Sequence, residues 1–443
     1  MSVPFAIDVP DRIPKQRYYD GDFFRLEAEQ LWPRVWQMAC RLEEIRNAND
    51  FVEYEILDQS VLIVRGDDLE VRAFQNSCRH RGVRLVEGRG SSASGFTCPF
   101  HGWCYGVDGA NTFVTRGTTF SEHNLQPGDI DLVPVRCETW GGCVWINLDD
   151  DAPPLRQCIE PFATVMDAWN LDAMRAEWWY AFRLPVNWKL AEEAFMEQYH
   201  VLETHPQLRI PGRYPAKDGS FDPRVFVESE LHYLRVMSEG MAGMVHARDV
   251  RIAEGLRDIE LPADPALARD TWDRAFNDAV VDWHRARYAT IPDLNELEAA
   301  GLNEPMGYCF PHFFVLPMYS SASSYRFRPL GPEETLMEIW SLTRFAPGEE
   351  PAPLPAPGAW ECDDPRVPPI PTQDFSNLPR QQKGLHTRGF EYMRLSAQLE
   401  GHLANYHRLI DGYLADLTHE QLVPALEQIN VNPLDRALVD LPL

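Results

Sequence analysis

Two short segments constrain this chain more than any other: Cys78-Arg79-His80 and Cys98-Pro99-Phe100-His101, with seventeen residues, 81 through 97, between them. Each offers one thiolate and one imidazole. A chain that brings both pairs together must bend tightly twice around a common group, and Gly82, Pro99 and Gly102 stand where such bends fall. Two groups take this donor set. One is a [2Fe–2S] cluster with two Cys on one iron and two His on the other; the other is a Cys₂His₂ zinc ion. Zinc sites usually put like ligands together along the chain, and these pairs are mixed. Histidine ligation raises the potential of such a cluster above that of an all-cysteine one, which suits it to accept electrons and pass them on.

The 443-residue chain is too long for one small core, so two domains are expected. A hydrophobic fraction of 44% and a charged fraction of 24% are those of a soluble globular protein. The formal net charge of −26 argues against nucleic acid or an anionic membrane surface as partner. No apolar run has the length of a membrane span. The N-terminal residues read as neither a basic nor an apolar leader region, and nine scattered cysteines do not read as a disulfide framework. The expected compartment is a reducing cytoplasm.

Along the chain, Asp20 or Asp22 can cap a helix running through Phe23, Leu26 and Trp32. Short β-type runs follow at 51–56, 60–64, 71–74 and 143–147, separated by turn residues. The expected division is an N-terminal helical segment at 1–35, an all-β domain at 36–150 and a larger α+β domain at 151–443. The Asp149–Pro154 stretch is the linker. In the last domain a helix is expected at 155–170, strands at 176–184 and 225–236, and a mostly helical segment at 241–300. Further strands are expected at 313–316, 323–328 and 335–345, and a proline-rich excursion at 347–371. One long amphipathic helix, 384–417, carries a core stripe of Tyr392, Leu395, Leu399, Leu403 and Tyr406.

A second constellation, Glu197-Gln198-Tyr199-His200-Val201-Leu202-Glu203-Thr204-His205-Pro206, follows a run at 187–196 that reads as a helix. On a continued helix Glu197 and His200 share a face, whereas His205 sits about 140° around from His200. Pro206 pushes His205 out of the α region, so the motif reads as one ligand within a helix and one at its frayed end. Two imidazoles with a carboxylate from elsewhere suit a ferrous site with open positions.

Together, Cys-x-His-x₁₇-Cys-x₂-His with Trp103 and Tyr105, then Asn187-Trp188-Lys189-Leu190 and Glu197-x₂-His200-x₄-His205, resemble the α (catalytic) subunits of the Rieske non-haem iron oxygenases. The likeness covers nearly the whole chain. It implies an N-terminal Rieske domain with a [2Fe–2S] cluster on Cys78, His80, Cys98 and His101, and a helix-grip (START-like) catalytic domain with an antiparallel sheet. It also implies one Fe²⁺ on His200, His205 and a late carboxylate. In that family a glutamine follows the carboxylate by eight residues, as Gln382 follows Asp374; Asp363, Asp364 and Glu338 are the competitors. The acid three residues before the first His ligand, here Glu197 where many members have Asp, links the iron of one subunit to a Rieske histidine of its neighbour. Related oxygenases of quaternary amines also carry Glu there, and Ala194 stands where the family often has Asn.

The implied activity is oxidation by O₂ with electrons from NAD(P)H, relayed by a reductase and often a ferredoxin, in a homotrimer or a multiple of it, with or without a β-subunit. Dihydroxylation, monohydroxylation and oxidative N- or O-demethylation share these motifs. Phe195, Met196, Val201, Leu202, Phe313, Val315 and Tyr319 are candidate pocket residues and favour a hydrophobic ring substrate. Arg209 and Arg213 could hold a carboxylate. The rival readings are an electron-transfer protein with an inactive second site and a structural zinc protein.

Overall fold

The computed structural model describes residues 3–240, 243–303, 307–430 and 438–443. The fold divides into two compact units: Ala28–Cys158, and Met1–Glu27 joined to Ile159–Leu443. These edges lie at 27/28 and 158/159, against expected domain boundaries at 35/36 and 150/151. The later edge has a local cause. Leu155 N donates to Glu138 and Trp36 Nε1 donates to Pro153 O, so the Asp149–Pro154 stretch and the turn after it are held by the first unit.

Ala28–Cys158 contains a seven-stranded antiparallel sheet. Its order is Gln37–Arg41, Cys143–Asn147, Pro134–Trp140, Val71–Gln75, Gln59–Arg65, Asp50–Ile56 and Arg89–Ser91. Val61-Leu62-Ile63-Val64 is buried on both faces, which explains its unbroken apolar, β-branched character. A small three-stranded sheet, Phe96–Thr97, Cys104–Tyr105 and Asn111–Phe113, packs nearby. A core of Leu62, Val64, Phe74, Phe96, Trp103, Tyr105 and Leu132 includes Cys78 and Cys98.

The other unit is built on a six-stranded sheet. Its order is Gly307–Cys309, Phe313–Met318, Ser321–Gly331, Glu334–Arg344, Met174–Leu184 and Ala359–Glu361. Pairing is antiparallel except at the last edge, where Ala359–Glu361 runs parallel to Met174–Leu184. Helices Trp188–Met196, Pro223–Gly240, Pro265–Arg285, Pro369–Leu385 and Gly401–Leu414 belong to the same unit. Among the described residues no helix is long and apolar enough to cross a membrane.

Three expectations need correction. Residues 225–236, expected as strand, belong to the Pro223–Gly240 helix. Its buried Phe226, Val227, Leu231, Leu234 and Met237 recur at helical spacing, and Asp222 with Pro223 starts it. The valines at 225, 227 and 236 had given a β-like texture. The single helix at 384–417 is instead the end of Pro369–Leu385, a strand Tyr392–Arg394 and the helix Gly401–Leu414. The strand pairs with Arg12–Pro14, Met393 opposite Ile13. Of the expected stripe, Leu403 and Tyr406 are core while Leu399 is 42% exposed. Finally, the helix at 155–170 is interrupted at Pro161 into Leu155–Cys158 and Phe162–Ala168. The helical segment after 241 is present as Ala247–Glu254, Pro265–Arg285 and Leu294–Ala299. Met241 itself, where it was expected to begin, lies outside the described residues.

Asp20, not Asp22, caps the first helix, Gly21–Gln30, accepting from the backbone N–H of Asp22 and Phe23. Glu27 of that helix reaches Lys189 at 2.7 Å and accepts from Trp188 Nε1 at 3.1 Å. Both ends of the ion pair are fully buried. Removing one partner of such a pair strands the other charge, at a cost of about 3–5 kcal/mol. Glu27→Ala is therefore expected to lower unfolding stability by about that amount in urea titration, whereas Glu27→Leu with Lys189→Met recovers most of it. An unchanged midpoint in Glu27→Ala would mean the pair is not shielded from water.

Candidate metal centres

The two Cys/His loops share one backbone construction. Cys78 N donates to Val83 O and Gly82 N to Cys78 O; Cys98 N donates to Trp103 O and Gly102 N to Cys98 O. Each loop closes over five residues, and its glycine takes a positive φ, 77° at Gly82 and 72° at Gly102, which a side chain would oppose. The closures bring His80 Nδ1 and His101 Nδ1 to 3.1 Å of each other. His80 stacks on Trp103, ring centroids 5.1 Å apart. Cys78 and Cys98 are 2% exposed, and the Tyr105 hydroxyl lies 3.2 Å from Cys78 Sγ and accepts from Arg79 N.

Burial raises the Cys78 thiol pKa and is the largest influence on it; Tyr105 acts in the opposite direction. The His80 pKa is lowered by burial first, then by the charges of His101 and Arg81. The lowered His80 pKa keeps that imidazole neutral and able to bind a metal, whereas the raised Cys78 pKa opposes the thiolate, which a bound metal would have to stabilise.

The second centre starts from a capped helix. Asn187 Oδ1 accepts from Lys189 N at 3.1 Å, opening Trp188–Met196. The helix ends before Glu197, whose backbone is extended. His200 then precedes a single turn, Val201–Thr204, and His205 follows it. This corrects the reading of His200 as a ligand inside the long helix. Its contact with Glu197 is a cap rather than a helical i, i+3 pairing: one carboxylate oxygen accepts from His200 N at 3.1 Å and the other lies 2.5 Å from His200 Nδ1. His205 N still bonds Val201 O, and Pro206 follows.

Asp374 comes from the Pro369–Leu385 helix. Its Oδ1 lies 3.6 Å from His200 Nε2 and 3.1 Å from His205 Nε2. The three ligand atoms fall within 4.8 Å of one another. Each histidine's other nitrogen is occupied, His200 Nδ1 by Glu197 and His205 Nδ1 by Gln373 Oε1 at 2.7 Å. Gln373 and Gln207 exchange amide bonds at 2.8 and 3.1 Å, which orients the Gln373 oxygen toward His205. With Nδ1 protonated, both Nε2 lone pairs are left for a metal. Burial works to lower the His205 pKa, but Asp374 outweighs it and the pKa is raised.

Of the competitors, Asp363 is exposed, Asp364 pairs with Arg366 at 2.7 Å, and Glu338 is buried against Arg326 and Arg328 at 2.6 and 3.1 Å. None joins the histidines. Gln382 does not face the ligands; it accepts from Asn187 N and donates to Tyr18 O and Glu333. Arg209 pairs with Glu203, and Arg213 with Glu230 at 3.0 Å, so both arginines are engaged elsewhere. Phe195 packs on Tyr325 and Phe327, while Leu202 is exposed. Phe313 and Val315 are buried in their strand, and Met196 is buried in its helix. A cavity of about 200 Å³ beside the ligands includes Ala194, Glu197, His200, Asp374 and Asn377 in its wall. Gln207, Gln373 and Asn377 carried no signal in the sequence beyond their nearness to His205 and Asp374.

A family model described as "Rieske [2Fe-2S] domain" matches residues 35–117, and one described as "Ring hydroxylating alpha subunit (catalytic domain)" matches residues 166–416. The chain belongs to the ring-hydroxylating α-subunit family. As a member, it carries the residues for the family's two cofactors, the Rieske cluster and a mononuclear iron. The chain is 33% identical to the carnitine monooxygenase oxygenase subunit of Escherichia coli (strain K12) over 44% of this chain and 52% of that one. It is 30% identical to the 2-aminobenzenesulfonate 2,3-dioxygenase subunit alpha of Alcaligenes sp over 41% and 47%. The chain thus spans about half the length of the curated relatives it matches.

The fold resembles naphthalene 1,2-dioxygenase with indole bound, at 16% identity and TM-score 0.65 over 97% of this chain and 100% of that one. It also resembles an apo quaternary ammonium Rieske monooxygenase, at 18% identity and TM-score 0.61 over 93% and 99%.

The two orienting contacts give a direct test. Gln373→Leu is expected to weaken ferrous-ion binding about 10–100-fold, read by anaerobic titration of iron-stripped protein, with circular dichroism unchanged. Wild-type affinity in that variant would remove Gln373 as the group that orients His205.

Proposed function

We propose that the protein is the terminal oxygenase component of a multi-protein system, oxidising a small, hydrophobic, aromatic or cyclic substrate with O₂ and electrons from NAD(P)H. The observation that carries this reading is the convergence of two imidazole Nε2 atoms on one buried carboxylate, each ring's Nδ1 already tied off, in a chain that also holds the paired Cys/His loops. When bound, the ferrous ion supplies open coordination positions for O₂, and the cluster supplies electrons one at a time.

The protein's own contribution is orientation. Glu197 and Gln373 fix which nitrogen of His200 and His205 is free, and Asp374, from the Pro369–Leu385 helix, would complete the three residues that hold the iron. Glu197 also lines the cavity beside His200, a location that supports its role as the link to a Rieske histidine of a neighbouring subunit. That role calls for a homotrimer or a multiple of it, with or without a β-subunit. A reductase, with or without a ferredoxin, supplies the electrons.

Oxygenation or demethylation of a quaternary amine is the second reading. Similarity to the carnitine monooxygenase oxygenase subunit and to the glycine betaine monooxygenase oxygenase subunit of Pseudomonas aeruginosa, 29% identical over 44% of this chain, favours it. Cytoplasmic location fits both readings.

Absorbance and EPR of anaerobically purified protein, with iron and acid-labile sulfide assays, separate the oxygenase from a zinc protein; zinc without sulfide overturns it. His200→Ala is expected to keep the cluster spectrum and abolish product formation, and undiminished turnover would show that the iron is held elsewhere. Glu197→Gln is expected to leave the cluster reducible but to block its single-turnover oxidation by O₂ and substrate. Wild-type oxidation of the cluster in that variant removes Glu197 from the path.

A further inference from the structure

The catalytic unit has a second polar cavity, of about 240 Å³, whose wall contains none of His200, His205 and Asp374. It lies between the helices Pro223–Gly240, Pro265–Arg285 and Leu294–Ala299 and the turn after the Phe313–Met318 strand. Three aromatic residues wall it: Trp169, Tyr233 and Tyr319. Trp169 Nε1 is spent on Leu302 O at 2.9 Å, which fixes the indole ring. Tyr319 takes a positive φ of 55°, uncommon for a side-chain-bearing residue. The next residue, Ser320, holds this turn in place by donating from its N–H and its hydroxyl to the buried carboxylate of Asp249, at 3.2 and 2.7 Å. The Tyr319 ring packs on Phe276, centroids 4.5 Å apart.

The charges on this wall do not cancel. Arg213 and Arg269 face Glu230, Asp273 and Glu298, leaving one surplus negative charge. Both arginines are committed: Arg213 grips Glu230 through two bonds, at 3.0 and 3.1 Å, and Arg269 reaches the same carboxylate at 3.4 Å. Glu298 accepts from Asn277 at 3.2 Å. Asp273 is the exception. Among the described residues it accepts no hydrogen bond and forms no ion pair, although burial lifts its pKa to about 6. A half-buried carboxylate without a donor is costly unless something supplies one. The Tyr233 ring already holds the Arg213 guanidinium 3.5 Å from its centroid, so among the three rings Trp169 and the outer face of Tyr319 are left to attract a cation.

We propose that this cavity binds a small organic ammonium that bears N–H, its charged head donating to Asp273 and its apolar body lying among Trp169, Tyr233 and Tyr319. A quaternary ammonium satisfies the aromatic wall but donates nothing to Asp273, so the site selects for N–H.

Isothermal titration of the full-length protein with benzylammonium, benzyltrimethylammonium and benzyl alcohol tests this. Benzylammonium is expected to bind one per chain, with benzyltrimethylammonium and benzyl alcohol weaker. Asp273→Asn, nearly isosteric, is expected to weaken benzylammonium by about tenfold or more, and Asp273→Glu to restore part of the loss. His200→Ala is expected to bind as wild type, which keeps this result independent of the iron assignment. Binding unchanged in Asp273→Asn, benzyltrimethylammonium binding as tightly as benzylammonium, or no binding heat from benzylammonium each overturns the proposal. A thermal melt of each variant guards against reading misfolding as loss of affinity.

Discussion

The bond between Asn187 N and Gln382 Oε1 joins the helix that carries Asp374 to the helix that leads into Glu197 and His200. Asn187 sits at the start of Trp188–Met196, where backbone N–H groups have no partner within the helix. Its side chain satisfies Lys189 N and donates to Pro332 O, while its own N–H goes to the Gln382 amide. The other face of that amide donates to Tyr18 O and Glu333. One buried glutamine thereby ties four separate stretches of chain. Asp374 lies two turns before it on the same helix, so the carboxylate's height relative to His200 and His205 is set by a contact remote from the metal atoms themselves.

Around this tie the unit buries an unusual amount of charge. Arg17 meets Asp411 at 2.5 Å and His407 at 3.1 Å. Tyr18 and His407 both reach Glu193, and Tyr406 donates to Glu192. Because Arg17 Nε donates to His407 Nδ1, the neutral ring carries its proton on Nε2 and gives it to Glu193. Burial is the largest influence on Glu193 and its pKa is raised to about 8 even though Tyr18, Lys189 and Arg17 pull the other way. Such a network is worth little as net stabilisation, but each member is costly to remove singly. Its effect is to fix the N-terminal segment and Gly401–Leu414 in one register against the back of the Trp188–Met196 helix.

How much of this could be read from the chain depended on sequence distance. The paired loops announced themselves because all four donors and both glycines lie within 25 residues, Cys78 to Gly102. His200 and His205 were readable from Pro206, which explains why a five-residue spacing can still converge. Asp374 was reached only through the family pattern, since nothing local separates it from other acids. Gln373 escaped notice because a neutral amide 168 positions from His205 leaves no local trace. The misread helix at 384–417 failed for the same reason: its strand, Tyr392–Arg394, has a partner at Arg12–Pro14 that no local window contains. At 223–240 the failure was different. There β-branched valines set the local texture, but burial of one face at helical spacing prevailed.

The division into units has a consequence for how the chain is made. The first 27 residues belong with the last 285, so the cluster-bearing unit is an insertion within the other. Ala28–Cys158 has all of its own contacts available once residue 158 has emerged from the ribosome. Arg12–Pro14 and Arg17 must wait for Tyr392–Arg394 and Asp411. At bacterial or eukaryotic synthesis rates that delay is on the order of tens of seconds. Through that interval the N-terminal segment, with its apolar Ile7, Ile13, Tyr18 and Phe23, stays without the surfaces that later cover it. The nascent chain therefore completes the unit with the paired Cys/His loops before His200, His205 and Asp374 can meet, and the residues left longest without their partners are those of the N-terminal segment.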